Sequence, residues 1–362
     1  MKRTLPATLA ATVLSAVLFA CTGSFEGGTL DPRVIVSATT ATASGSAPLS
    51  CSPPALPAAG TPVLLAYSAA GLDAAITSSA DPRCARVDVV PLGAPATDLI
   101  QTNDGATLYD AIPTLGTVEA RGATLAVTGT ITADSSTVGG VNAGPICPAR
   151  LALSPDNLNL AVLDDPSECS GFSRQTLRVL VYRTADLSLR GILTEAVNFS
   201  AVNKTGGPAA VAISGSSVWL LAPRGTTFGL YRFDLNAPDL SVATALPSLA
   251  GLSLPAAVQA GILVTDTSLL VAPDGRVYAA VNASGQSQGL VVAVNNTQSD
   301  FDPPLGAEAA GPANQLVPDV RRGQFLILQP TRTVVHGATN TVVNAVMQAA
   351  TVALDGFAYG VS

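Results

Sequence analysis

Histidine, charged side chains and aromatic rings are all scarce in this chain of 362 residues. Only 12% of the residues are charged, whereas an ordinary soluble domain has about 25%. Aromatic residues make up 4% and hydrophobic residues 48%, so most of the apolar content comes from Ala, Val and Leu. This composition excludes a disordered chain and predicts a core of small side chains. The single histidine, His336, excludes sites built from several histidines.

Motifs for nucleotide and metal chemistry are missing as well. The sequence contains no P-loop, no G-x-G-x-x-G after a strand-like run and no H-E-x-x-H. It also has no C-x-x-C pair for a zinc site. Removing a leader that contains Lys2 and Arg3 takes away two positive charges and changes the formal net charge from −7 to −9. Such a charge disfavours nucleic acid and anionic lipid as partners. The sequence therefore predicts no cofactor, no metal and no nucleic-acid partner.

The first 20 residues have the layout of a signal peptide. Two basic residues precede an apolar run, 9–20, which stops at Cys21. The tetrapeptide 18–21, Leu-Phe-Ala-Cys, resembles a bacterial lipobox, in which the Cys is lipidated on sulfur and becomes the mature N-terminus. The resemblance implies that acyl chains such as palmitate anchor Cys21 to a membrane without a spanning helix. Ordinary signal peptidase cleavage near Ala20 is the alternative.

The four remaining cysteines, Cys51, Cys84, Cys147 and Cys169, form an even set. In a chain that enters an oxidising compartment, this predicts two disulfides, with three possible pairings. The favoured pairing joins neighbours in sequence, Cys51 with Cys84 and Cys147 with Cys169. On the loop-entropy account, each bond adds roughly 3 kcal/mol of stability.

Composition divides the chain into three segments. Residues 1–20 are the predicted lipoprotein signal peptide. Residues 21–60 are rich in Thr, Ser, Ala, Gly and Pro and hold too little apolar bulk to fold alone, which predicts a flexible linker. The strand-like run 33–36 is an exception that can dock onto the main body. Residues 61–362 form the predicted folded domain.

A pair of apolar runs around a turn recurs in this domain. In residues 151–163 the runs flank Ser-Pro-Asp-Asn, and in residues 269–281 they flank Ala-Pro-Asp-Gly, so the two turns align. Such a pattern is typical of a β-hairpin. Weaker copies lie at 211–221, 316–328 and 352–361. Further strand-like segments follow two of the copies, at 177–187 and 229–235, and predict four strands per unit.

The combination resembles the blades of bacterial β-propellers of the YVTN and "SPDG" type, in which such a hairpin supplies the two inner strands. The resemblance implies an all-β propeller of six or seven four-stranded blades, because about 300 residues divide into units of about 45. A β-sandwich array with the same strands is the alternative. The last copy lacks outer strands, and the runs 63–67 or 87–90 are expected to supply them and close the ring.

One string matches a catalytic motif. Residues 285–289 form G-x-S-x-G around Ser287, and His336 follows later in the serine-hydrolase order Ser, Asp, His. The acids in between are Asp300, Asp302 and Asp319. The string lies between two strand-like runs rather than between a strand and a helix, so a hairpin loop explains it. We therefore predict no catalytic residue, and we expect His336 in a loop or at the surface.

The other polar and aromatic candidates are predicted to be structural. Two acidic clusters lack the spacing of a calcium loop and are expected to be solvated turn residues: Asp164 with Asp165 and Glu168, and Asp300 with Asp302. Three acids are expected to accept backbone hydrogen bonds at turns: Asp156, Asp274 and Asp355. Three rings are expected in the core: Trp219, Tyr231 and Phe233.

Together these features predict a lipoprotein of the cell envelope, with the membrane contacted through the lipid on Cys21. Thr22 after the Cys fits sorting to an outer membrane, and the cell surface and the periplasmic side are alternatives. The propeller would be a platform for another envelope protein or an envelope component. The alternative is a lactonase-like or hydrolase-like enzyme with its site in the central pocket. Three or more carboxylates or amides converging at the axis would favour the enzyme.

Overall fold

The computed structural model describes most of the chain from residue 33 onward. The described ranges are 33–40, 51–68, 70–72, 81–102, 104–132, 134–138, 141–169, 177–193, 209–224, 227–236, 264–271, 276–283, 290–294, 315–319, 324–329, 332–336, 341–343, 349–352 and 358–361. Several residues named above lie outside them: Cys21, Asp274, the string 285–289, Asp300, Asp302 and Asp355. Within these ranges no helix is both long enough and apolar enough to cross a membrane.

Nearly all of the regular structure is β-strand, which confirms the predicted all-β fold. The strands pair in chain order within small antiparallel sheets. The first sheet holds β1 (Arg33–Thr39), β2 (Pro62–Ser68) and β3 (Arg86–Pro91). The second holds β4 (Asp98–Gln101), β5 (Leu108–Ile112), β6 (Thr117–Arg121) and β7 (Val127–Ile131). A separate hairpin holds β8 (Asp134–Val138) and β9 (Val141–Gly144).

The later sheets follow the same order. The third holds β10 (Pro148–Leu153), β11 (Asn159–Asp164), β12 (Arg178–Arg183) and β13 (Leu189–Leu193). The fourth holds β14 (Ala210–Ser214), β15 (Ser217–Arg224) and β16 (Thr227–Asp234), and the fifth β17 (Val264–Val271), β18 (Val277–Ala283) and β19 (Leu290–Val294). The sixth holds β20 (Gln315–Asp319), β21 (Gln324–Leu328), β22 (Thr333–His336) and β23 (Thr341–Val343). A final hairpin pairs β24 (Ala349–Val352) with β25 (Ala358–Val361).

In the described ranges, short 3-10 helices lie between some of the strands, and each begins with proline, whose fixed φ suits a first helical turn. They are Pro82–Ala85, Pro113–Leu115 and Pro166–Glu168.

The recurring hairpins of the sequence are present. Four copies correspond to β10–β11, β14–β15, β17–β18 and β20–β21. The last copy is the hairpin β24–β25, whose first strand begins three residues earlier than predicted. Neither of the runs 177–187 and 229–235 holds a strand pair. The first contains one strand, β12, and the second outer strand follows it as β13, whereas the second lies mostly in the single strand β16.

The expectation for the runs 63–67 and 87–90 was wrong. They form β2 and β3 of the first sheet and do not extend the last hairpin. The edge of β2 is occupied by β1, which pairs with it along its whole length, from Arg33 opposite Ser68 to Thr39 opposite Pro62. Five consecutive residues of β1, from 34 to 38, are buried. The docking expected for residues 33–36 is therefore confirmed.

Neighbouring sheets pack face to face. On β11, Leu160 and Val162 belong to a buried cluster shared with the second sheet, whereas Ala161 and Leu163 belong to one shared with the fourth. Successive side chains of a strand point to opposite faces, so the third sheet is covered on both sides. This explains why β11 reads as a continuous apolar run without polar alternation. The first sheet packs on the second and the fifth on the sixth in the same way.

The sheets share an inner side and two distinct ends. The first strands β4, β10, β14, β17, β20 and β24 lie next to one another in sequence order. Because the strands alternate in direction, the turns β4–β5, β6–β7, β10–β11 and β12–β13 lie at one end, which we call the hairpin end. Connections such as β5–β6 and β11–β12 lie at the opposite end, which we call the return end.

Contacts between sheets support this assignment. At the hairpin end, Arg190 at the start of β13 donates to the Leu235 carbonyl just after β16, at 2.7 Å. At the return end, Cys169 Sγ lies 3.0 Å from the Pro113 carbonyl oxygen.

Candidate functional site

The inner strands of the second and third sheets meet at Asp98. This first residue of β4 accepts a hydrogen bond through Oδ2 from the N–H of Leu151 on β10, at 2.7 Å. The hydroxyl of Thr97 lies 3.4 Å from the Pro148 carbonyl oxygen and 3.3 Å from that of Ala149. Side chains of one sheet therefore satisfy or contact backbone groups of the next at the inner edge.

The carboxyl group of Asp98 has a shifted pKa. Burial raises its pKa to about 6, against the opposing influence of the Arg150 guanidinium and of the N–H groups of Leu151 and Leu99. The residue as a whole is partly exposed, but its carboxyl group is enclosed by the protein. A carboxyl with such a pKa can exchange a proton close to neutral pH.

A second bridge of the same kind gives Asp98 a structural explanation. Ser268 on β17 accepts a hydrogen bond through Oγ from the N–H of Leu316 on β20, at 3.3 Å. Both acceptors lie on first strands, and both donors, Leu151 and Leu316, begin copies of the sequence repeat. The inter-sheet bridge therefore recurs with a neutral residue in the place of the acid.

Buried charges within the second sheet are bound to one another. The Nε atom of Arg121 lies 3.2 Å from each carboxylate oxygen of Asp110. The same guanidinium donates to the Leu125 carbonyl at 3.0 Å and forms an ion pair with Glu119. Burial raises the pKa of Asp110 to about 7, while the charge of Arg121 acts in the opposite direction. This network joins β5 to β6 and to the following turn.

A second buried pair joins β11 to β12. Asp164 and Arg178 stand opposite each other in the ladder, with 2.6 Å between Oδ2 and Nε. The other oxygen of Asp164 accepts the N–H of Cys147 at 2.7 Å, and Arg178 also donates to the Ala143 carbonyl. The sequence expectation of a solvated turn was wrong for Asp164, which is buried. The guanidinium of Arg178 compensates the buried charge. It holds for Glu168, which is exposed in a 3-10 helix.

His336 differs from its expected setting. It is the last residue of β22 and is half-buried. Its ring centroid lies 4.8 Å from that of Phe325 and 5.7 Å from that of Tyr278. The histidine therefore packs on two rings where the fifth and sixth sheets meet, and the expectation of a loop or surface position was wrong. The other members of the G-x-S-x-G hypothesis lie outside the described residues, except Asp319 in β20.

The aromatic prediction is confirmed. Trp219, Tyr231 and Phe233 are all buried, on the second and third strands of the fourth sheet. Tyr231 and Phe233 belong to the cluster shared with the third sheet. Their function is core packing.

The turn prediction for Asp156 is confirmed as well. Its carboxylate accepts the hydroxyl of Ser154 at 2.5 Å and the N–H of Leu158 at 3.0 Å. The Ser154 oxygen accepts the N–H of Asn159 at 2.9 Å. The hydrogen bond from Ser154 lowers the pKa of Asp156.

One copy of this turn was missed in the sequence. Between β4 and β5, Thr102 Oγ1 accepts the N–H of Thr107 at 2.9 Å, and Asp104 accepts the N–H of Ala106 at 3.0 Å. The signal that could have found it is the Asp104–Gly105 pair, preceded by a hydroxyl residue as in the Ser-Pro-Asp-Asn turn. The missing proline and the short flanking runs concealed it.

Two disulfides are present, and they confirm the pairing of sequence neighbours. Cys51 is bonded to Cys84, and Cys147 to Cys169. In the part of the chain that the structure describes, no three residues among His, Cys, Asp and Glu come together as a metal site.

Comparison with known proteins identifies the fold of this chain. Neither a family model nor a curated protein matches the sequence. A solved protein from Lactobacillus plantarum aligns with a TM-score of 0.54 and 13% identity, over 92% of this chain and 85% of its own. A chain of the mitotic checkpoint complex aligns with a TM-score of 0.51 and 9% identity, over 96% of this chain and 86% of its own. Both are β-propeller proteins.

The body is a β-propeller. At such low identity the likeness shows the fold alone. It explains why the sheets pack face to face and why their first strands adjoin one another. The hairpin end and the return end are then the two faces of the propeller, and Asp98 lies on its inner wall.

Proposed function

We propose that the chain is a lipid-anchored protein of the cell envelope whose propeller is a binding platform for another envelope protein or an envelope component. Three features support this. The lipobox-like residues 18–21 would place a lipid on Cys21. The two disulfides fit an oxidising, extracytoplasmic compartment. Propellers present rigid faces, which suit binding.

One observation favours a binding platform over an enzyme. The buried charged groups of the second and third sheets bind partners in the fold: Asp110 binds Arg121, and Asp164 binds Arg178. Each pair spans adjacent strands of a single sheet. These groups therefore join strands within a blade, and the faces of the propeller are left as the functional surfaces.

We propose six or seven blades closed into a ring. Six sheets and the final hairpin β24–β25 follow one another along the chain. The second, third and sixth sheets each contain four strands, which supports the four-stranded unit of the sequence repeat.

The anchor is tested by intact-mass measurement of the protein purified from membranes. The expected mass lacks residues 1–20 and includes acyl chains on Cys21. The Cys21→Ala variant serves as the control and is expected to leave the membrane fraction. A processed wild-type mass without acyl groups, or equal membrane association of the two proteins, would contradict the anchor.

The platform is tested by cross-linking in intact cells followed by purification. We expect one envelope protein or envelope polymer to be recovered in stoichiometric amount with the wild type. A lipidated protein of unrelated fold, expressed at the same level, controls for proximity in the membrane. Recovery of the same material with both proteins would contradict a specific platform.

One observation favours a second candidate, a hydrolase-like or lactonase-like enzyme. Asp98 lies on the inner wall with a pKa raised to about 6 by burial, and Arg150 lies close enough to influence that pKa. A panel of lactones and esters tests this candidate. Turnover by the wild type that Asp98→Asn abolishes, without loss of stability, would support the enzyme over the platform.

A further inference from the structure

The first described strand, β1, begins at the hairpin end. Arg33, the first residue of β1, donates a hydrogen bond from its guanidinium to the carbonyl of Ala123, at 3.1 Å. Ala123 lies in the turn between β6 and β7, which belongs to the hairpin end. β1 therefore begins at this face of the body.

An independent contact fixes the opposite end of the first sheet. Gly93, just after β3, lies against Leu115, because a Cβ atom on this glycine would be 3.1 Å from Leu115 Cδ1. Leu115 belongs to the 3-10 helix that follows β5, at the return end. Since β3 ends at the return end, β2 begins there and β1 also ends there. The direction of β1 from the hairpin end to the return end thus rests on two contacts.

Docking of β1 shortens the connection to Cys21. Only the eleven residues 22–32 separate Cys21 from Arg33, and eleven residues span at most about 40 Å when fully extended. A linker that continued to residue 60 would reach roughly 140 Å. A coil of eleven residues averages only about 18 Å from end to end.

We propose, on the basis of the lipid proposed at Cys21, that the hairpin end of the propeller faces the lipid bilayer and the return end faces away from it. A six-residue strand is about 20 Å long, so turning the propeller over would use about half of the full extension of residues 22–32. The short connection therefore favours the hairpin end toward the membrane. Leu158, 62% exposed in the β10–β11 turn, is an apolar side chain suited to that contact.

Charge does not set this orientation. Exposed residues of both signs lie at the hairpin end: Arg33, Asp104, Asp156, Arg183 and Asp186. Their mixture gives no strong attraction to an anionic surface, so the orientation depends on where the connection to Cys21 joins the propeller. The return end, with the exposed Leu115 and Glu168 beside the bond between Cys147 and Cys169, then points away from the membrane.

Single lysines can measure the orientation, because Lys2 and Lys204 are the only lysines of the chain. Lys2 is removed together with the leader, so the substitution Lys204→Arg removes the last lysine. Ala185→Lys then adds a labelling site at the hairpin end, and Glu168→Lys adds one at the return end; both positions are exposed. Each lipidated protein is labelled with an amine-reactive donor dye. It is then reconstituted into phosphatidylethanolamine–phosphatidylglycerol vesicles that contain an acceptor-labelled lipid.

We expect energy transfer to the lipid to be several-fold more efficient from position 185 than from position 168. Inserting about 20 Gly/Ser residues after Thr22 should remove most of this difference, because the connection then spans the propeller easily. Equal transfer from both positions, or more from position 168, would overturn the orientation while leaving the anchor intact. Failure of the lipidated protein to bind vesicles at all would overturn the anchor and the orientation together.

Discussion

Among individual residues, Asp164 and Arg178 form a buried ion pair in the third sheet. The two residues are fourteen positions apart but stand opposite each other on adjacent strands. Asp164 is completely buried, and its second oxygen is used by the Cys147 N–H. Removing one member of such a pair leaves the other charge buried without compensation, which is more damaging than never having the pair.

Arg178→Met should lower the free energy of unfolding by about 3–5 kcal/mol, because it keeps an apolar side chain but leaves the Asp164 carboxylate buried without a partner charge. Urea unfolding followed by the fluorescence of Trp219, the single and buried tryptophan, measures the change. Arg183→Met is the matched control, since this arginine lies at the exposed end of the same strand; we expect it to change stability by no more than about 0.5 kcal/mol. Similar losses in the two variants would argue against a role for the pair.

At the element scale, the unit that repeats is a turn with a defined hydrogen-bond pattern. In residues 154–159 and again in residues 102–107, a hydroxyl oxygen accepts the N–H five residues later, and an acid two residues after the hydroxyl accepts a further N–H. Asn157 in the first turn has a φ of 59° and Gly105 in the second a φ of 67°. Both residue types tolerate this left-handed conformation, which explains their place in the turn.

Asp156→Ala and Asp104→Ala should each lower the free energy of unfolding by about 1 kcal/mol, because each removes an acceptor for a backbone N–H of the turn. The effects should be alike, since the two turns share one structure. Thermal unfolding in parallel with Glu168→Ala, which removes an exposed acid outside these turns, provides the comparison. Sensitivity of one turn without the other would show that the second sheet does not contain the repeat.

At the scale of the whole molecule, the disulfides restrain long stretches of chain. Cys147–Cys169 joins the segment before β10 to the 3-10 helix after β11, next to the Pro113 carbonyl of the second sheet. Cys51–Cys84 ties the segment between β1 and β2 to the start of β3, where Arg86 also donates to the Pro54 carbonyl at 2.7 Å. The second bond thus holds a part of the predicted linker against the first sheet.

Replacing both cysteines of either pair by serine should lower the free energy of unfolding by about 3–4 kcal/mol. The sequence separations are 22 and 33 residues, so the two losses should differ by only a few tenths of a kcal/mol. Urea unfolding with and without reductant measures both, and the variants should respond less to reductant than the wild type does. Unchanged stability in a double-serine variant would show that its bond does not restrain the unfolded chain as proposed.

Sequence patterns alone predicted the all-β class, the hairpins, two disulfides and the buried rings of the fourth sheet, and they favoured the cysteine pairing that is present. These features follow from local chemistry: turn residues between apolar runs, an even cysteine count and aromatic residues within strands. The positions of Asp164 and His336, the bridge from Asp98 to Leu151 and the place of β2 and β3 beside β1 were decided only by the tertiary structure. Each depends on which strand or sheet lies opposite, and a pattern along one strand contains no information about the identity of its neighbour.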